Sequence, residues 1–175
     1  MIAIDMIAVV ITWDSQAALP ITITSTKEGA MPDEKSSAWP ALLAAHALVE
    51  RAIETRLADA GLPDLACYDA LWVLEQAPGT RLRMHELASR MVITRSSITR
   101  LIDRLEAAGL VQRERAGDDR RGAFAVLTAA GRDLRRRMWG VYRPAIRDLF
   151  DRHLSEAEST ALRACLSRIA QAMRA

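Results

Sequence analysis

The sequence predicts a mainly α fold with a small β-wing, a winged helix-turn-helix joined to a helical dimerisation region. Three observations carry that prediction. Residues 84–90 and 95–108 form two helical patterns around a tight break, the second with Ile98, Leu101, Ile102 and Leu105 on one apolar stripe. Residues 110–115 (LVQRER) and 123–127 (AFAVL) alternate in strand fashion around a polar tip, AGDDRRG. Amphipathic helical patterns over 36–60 and 129–175 lie outside that unit and exceed what its small core needs, so a second copy of the chain is expected to cover them.

Taken in order, residues 1–30 differ in character from the rest of the chain. MIAIDMIAVVI is apolar, but Asp5 interrupts it, and no Lys or Arg precedes Lys27, so it lacks the positive start of a secretory signal. We expect an upstream extension or a loosely ordered arm, with the working protein, a single domain over 31–175, starting near Met31; a strand or helix covering the body is the alternative. Ser36 and Ser37 offer an N-cap, and Pro40 suits a first helical turn. The helix then runs to about Ala60, with Leu42, His46, Val49, Ile53 and Leu57 on one face, and Gly61-Leu62-Pro63 stops it. Asp64 caps a second helix that turns Leu65, Tyr68, Leu71 and Trp72 inward before Ala77-Pro78-Gly79 ends it. Leu82 and Arg83 fall where a winged helix needs its short first strand.

Within the central motif, Leu87 and Ala88 point inward, and Val92 and Ile93 close the corner. Thr94 is the N-cap of the following helix and Gly109 its C-terminal stop. After the hairpin, Thr128 caps a helix whose seam is Leu134, Met138, Val141, Ala145 and Leu149, with Pro144 expected to kink it or break it after Arg143. Ser155 and Glu158 make a capping box for a last helix in which Leu162, Cys165, Leu166, Ile169 and Met173 are expected to be buried.

The chain has 175 residues, half of them apolar, and a net charge of +2. Its distribution says more. Residues 41–80 hold two arginines against six acids, whereas 81–121 hold ten against six and 132–152 seven against three. Positive charge therefore gathers on the winged unit and the helix after it, as phosphate binding requires. The polar face of the second motif helix carries Arg95, Ser96, Thr99 and Arg100, with Asp103 among them and Ser97 and Arg104 at its flank. Arginine there can fork onto guanine O6 and N7 or bond a single phosphate; the hydroxyls can do either. Double-stranded DNA is the expected partner.

The stretch from Tyr68 to Arg132 resembles the winged helix-turn-helix of the MarR (multiple antibiotic resistance regulator) family. The matching pieces are YDALWVLEQAPG, HELASRMVITRSSITRLIDRLEAAGLV and DDRRGAFAVLTAAGR, in order and spacing, and with the flanking helices the likeness spans residues 36–175. The resemblance places the family's Asp-x-Arg wing signature on Asp119 and Arg121. It implies that Arg121 reaches the minor groove with Asp119 holding it; Arg120 and Arg115 are secondary phosphate candidates, and Arg104 a weaker one. It also implies a homodimer formed through 36–60 and 129–175, a DNA-binding region over 64–128, and a ligand-responsive regulator, a repressor by preference. Two-fold symmetry predicts a pseudo-palindromic operator with half-sites about one helical turn apart.

The resemblance further implies a small phenolic or aromatic effector bound between the dimer helices and the winged unit. Trp39, His46, Tyr68, Trp72 and Trp139 are candidates to line that pocket, although aromatics at helical spacing more often just pack and a histidine on an apolar stripe is more often a hydrogen-bonded interface residue. A redox response through Cys67 is the alternative, against which no positive charge lies nearby in sequence to favour a thiolate. Cys165 reads as buried packing. No nucleophile–base pair, phosphate loop or metal spacing occurs, so no enzyme, metal or cofactor is expected. A winged helix used for protein contact would be poorer in arginine and richer in aromatics. No stretch reaches the length of a membrane span, and a cytoplasmic protein is expected.

Overall fold

Helix boundaries here are set by capping side chains. In the computed structural model of the protein, residues 37–91, 94–115 and 123–173 are described, without the side chains of Arg95 and Arg115. The expected arm at 1–30 and start near Met31, the corner residues Val92 and Ile93, and the wing tip with Asp119, Arg120 and Arg121 lie outside the described residues. The elements run α1 (Trp39–Asp59), α2 (Leu65–Glu75), β1 (Arg81–Arg83), α3 (Met84–Arg90), α4 (Arg95–Ala107), β2 (Val111–Arg115), β3 (Ala123–Leu127), α5 (Ala129–Leu149) and α6 (Glu156–Ala172). Asp64 accepts from Cys67 N at 2.9 Å to open α2, and Thr94 accepts from Ser97 N at 3.2 Å to open α4. Thr128 accepts from Gly131 N at 3.0 Å to open α5. Ser155 and Glu158 close the reciprocal capping box at the start of α6. The first helix differs from expectation: its cap position falls on Ala38, and Ser37 Oγ accepts only from Trp39 N, at 3.3 Å.

The three strands form one antiparallel sheet in the order β1-β3-β2. Leu82 pairs with Ala125 and Val111 with Leu127, and all four are buried, so one face of the sheet closes on the helices. Opposite them Leu87 of α3 and Ile98, Ile102 and Leu105 of α4 are almost wholly enclosed. Each such side chain adds about 1.5–3 kcal/mol relative to exposure. Gly109 sits at φ +72° after α4, where Leu110 N donates to Leu105 O at 2.9 Å. That left-handed cap turns the chain directly into β2.

Pro144 does not break α5, which is continuous from Ala129 to Leu149 with Met138 and Ala145 buried on either side. The missing N–H removes one ladder bond, and the burial of both flanking turns holds the helix together. The expected burial in α6 is not met within the chain: none of its residues is buried, and Ile169 and Met173 are 57% and 79% exposed. Cys165, expected in a packed interior, is likewise exposed. The apolar stripe exists, with Leu162 and Leu166 half-buried and none of its members fully enclosed. Among the described residues no helix is long and apolar enough to cross a membrane.

Candidate nucleic-acid interface

The buried stripe of α4 fixes which of its side chains face outward. With Ile98, Leu101, Ile102 and Leu105 inside, Ser96, Thr99, Arg100 and Asp103 are exposed and Ser97 is half-buried. Thr94 organises the first turn: its hydroxyl lies 3.0 Å from Ser96 Oγ and 2.9 Å from Ser97 Oγ. A helix N-terminus with clustered hydroxyls offers donors to a phosphate, and the dipole favours an anion there. One turn on, no carboxylate among the described residues pairs with Arg100.

Two further cations of this corner pair with carboxylates of the chain. Arg104 Nη2 contacts both carboxylate oxygens of Asp64, at 3.2 and 2.8 Å, and so ties α4 to the cap of α2. Arg113 on β2 meets Asp103 and Glu106 on α4 and donates from Nη2 to the Thr99 carbonyl at 3.3 Å. Arg113 was missed in the sequence, although a signal was there. Strand alternation puts it on the same face as the inward Val111, where an arginine needs carboxylates, and Asp103 and Glu106 stand three apart on the preceding helix.

Comparison with known structures bears directly on this arrangement. The crystal structure of AbsC, a MarR family transcriptional regulator from Streptomyces coelicolor, shares 32% identity over 84% of this chain and 99% of its own, with TM-score 0.74. The chain belongs to the MarR family. A MarR family model matches residues 60–122, from the end of α1 to the wing. Sco3205, a MarR family regulator from the same organism solved in complex with DNA, is 31% identical over 85% of this chain and 93% of its own, with TM-score 0.75. NadR, solved with 4-hydroxyphenylacetate, is 25% identical over 81% of this chain and 98% of its own, at TM-score 0.63. A search of curated proteins finds no match. This is a MarR family, DNA-binding transcriptional regulator with a winged-helix fold.

The residues expected to line an effector pocket fall in different environments. Tyr68 is buried on α2 and stacks on Trp139 at 6.1 Å between centroids, with Tyr142 edge-on at 5.0 Å. Tyr142 was not singled out in the sequence, because only the α2–α5 contact brings it to Tyr68. Trp72 is half-buried against the same core, whereas Trp39 is 60% exposed at the start of α1. His46 lies 3.6 Å from Glu50 on α1. The open depression along α6, lined by Ser155, Glu156, Ala157, Thr160, Ala161 and Ala164, includes none of them. Cys67 is buried, and burial with the nearby Asp64 charge pushes its thiol up to about 12, so it stays protonated at neutral pH.

Asp69, also on α2, is flanked by the negative Glu50 and Glu54 of α1 and by Asp64. Burial first, then these charges, push its carboxyl up to about 7. The Tyr142 hydroxyl of α5 is raised by burial first, then by Asp69, Tyr68, Glu50 and Glu54. Acids therefore gather where α1 meets the start of α2, in contrast to the cationic winged unit.

Proposed function

We propose that the protein is a homodimeric repressor that binds a pseudo-palindromic operator with α4 in the major groove. The observation that carries this reading is the capped, outward face of α4. There Ser96, Thr99 and Arg100, the last without a carboxylate partner among the described residues, stand over a buried Ile98–Leu105 stripe. Arg95 and Ser97 join that surface, and Arg121 with Asp119 and Arg120 supplies the minor-groove and phosphate contacts of the wing. Arg104 supports the helix from behind through Asp64. The uncovered faces of α6 and of the first half of α1 support pairing with a second copy.

A small aromatic or phenolic effector suits the Tyr68–Trp139–Tyr142 cluster between the dimer helices and the winged unit, and NadR was solved with a molecule of that class. Sensing through Cys67 is disfavoured, because a protonated, enclosed thiol reacts slowly with oxidants.

Fluorescence anisotropy with the protein's own promoter region tests the reading. Tight binding is expected to fall steeply with salt and to drop by about ten- to a hundredfold in Arg100→Ala. Binding no tighter than to random DNA, at any salt concentration, rejects it.

A further inference from the structure

Arg113 occupies an unusual place for a cation beside a DNA-contacting helix. It pairs across the sheet with the buried Ala125, and only 29% of its side chain is exposed. Its guanidinium meets Asp103 Oδ1 and lies 3.1 Å from Glu106 Oε2, and its Nη2 donates to the Thr99 carbonyl at 3.3 Å. Its main-chain N–H donates to Glu106 Oε1 at 2.9 Å. The acceptors at 99, 103 and 106 fall on one stripe of α4, so a single side chain grips two turns of the helix. One of them, Asp103, lies on the outward face with Thr99 and Arg100 and keeps about half its surface in solvent. A bare carboxylate there would repel a phosphate backbone.

We infer that Arg113 is a positioning residue for DNA binding: it locks the first wing strand onto α4 and cancels the Asp103 charge, without itself touching DNA. This rests on the reading of α4 as the groove helix. It also separates Arg113 from its strand neighbour Arg115, expected near a phosphate.

The test compares wild type, Arg113→Ala, Asp103→Asn and the double variant by anisotropy on the operator fragment over a range of salt. Arg113→Ala is expected to weaken binding by about ten- to a hundredfold, as an uncompensated carboxylate and a loosened strand act together. Asp103→Asn alone stays within about threefold of wild type. The double variant recovers about tenfold over Arg113→Ala, with the wild-type salt slope, because its net charge is restored and no phosphate contact is lost. Should Arg113→Ala melt below the assay temperature, Arg113→Gln, which removes the charge but keeps a polar stem on the strand, carries the same comparison.

A double variant as weak as Arg113→Ala, with its slope lowered by about one, makes Arg113 a phosphate contact and overturns the inference. Loss of about tenfold or more in Asp103→Asn makes Asp103 a reader of base edges and overturns it equally. In both cases wild type still binds, so the reading of α4 stands. No salt-sensitive binding by wild type removes that reading and this inference together.

Discussion

The winged unit and the terminal helices use the same kind of amphipathic pattern and reach opposite ends. In the winged unit the stripe of α4 is closed by α2, α3 and the sheet, and Ile98, Ile102 and Leu105 are almost fully enclosed. In α6 an equally regular stripe has no buried member, and on α1 burial is confined to Ile53 and Leu57 near its end. Leu48, in the middle of α1, is 65% exposed. Periodicity shows that a helix has an apolar face; what covers that face depends on the rest of the assembly. The winged unit closes its own core, whereas the apolar faces of α6 and of most of α1 are left without buried members among the described residues.

The largest expected effect lies in the complete half. Gly131 opens α5 against the end of α4, where Thr128 Oγ1 donates to Gly109 O at 2.8 Å and Leu110 O at 2.9 Å. An added methyl at 131 would overlap the Leu110 carbonyl oxygen and approach Leu127 Cδ1 to 2.8 Å. Backbone cannot yield there as a flexible side chain would. Gly131→Ala should cost about 2–4 kcal/mol in chemical denaturation and lower operator affinity, despite alanine's better helix propensity. A neutral or stabilising result would mean that α5 and the wing are not rigidly joined.

The incomplete half should break differently. Ile169→Asp places a charge on the exposed stripe of α6 and should weaken self-association by about a hundredfold, roughly 2.7 kcal/mol, in sedimentation velocity. Far-UV circular dichroism of the winged unit should change little. An unaltered dimer would mean that α6 lies outside the interface. Unfolding of the whole chain would mean that the winged unit is not complete by itself.

These two halves were not equally legible in the sequence. Thr94, Asp64, Thr128 and Ser155 each cap the helix they precede, because a cap is decided within three residues. The outward face of α4 was legible for the same reason: its stripe repeats within one helix. Arg104 is a phosphate candidate by its place on the helix, and its ion pair with Asp64, 40 residues away, lies where no local rule reaches. Arg113 needed the β2 register as well as the helix spacing. Burial of Ile169 and Met173 was expected from periodicity and fails in the single chain for lack of a covering surface.

Between the halves, Asp69 makes the comparison depend on pH. Its carboxyl rises from an ordinary 3.8 to about 7, so the folded chain holds a proton there that the unfolded chain has released. Stability from this group is therefore greatest at low pH, declines as pH rises from about 4 to about 7, and levels off above. Asp69→Asn should flatten that decline and raise stability at pH 8 on the order of 1–2 kcal/mol, allowing for solvent at its exposed edge. Thermal melts from pH 4 to 8 check this. Glu54, also raised by burial, keeps a slope of the same sign in the variant. An unchanged profile would show that burial and the neighbouring acids together do not hold the Asp69 proton in the folded chain.

The smallest effect distinguishes support from contact within the DNA-binding half. Arg104 and Asp64 are both well exposed, so their ion pair should contribute less than about 1 kcal/mol to stability. If Arg104 acts only through Asp64, Arg104→Ala lowers operator affinity by no more than about threefold and leaves the salt slope unchanged. Arg100→Ala on the same helix, with no carboxylate of the described residues beside it, should lose affinity and reduce the slope by about one. Equal slopes for the two variants would place Arg104 at the phosphates after all. The ion pair with Asp64 would then open when DNA arrives, and the corner of α2 and α4 would be a part of the interface instead of its support.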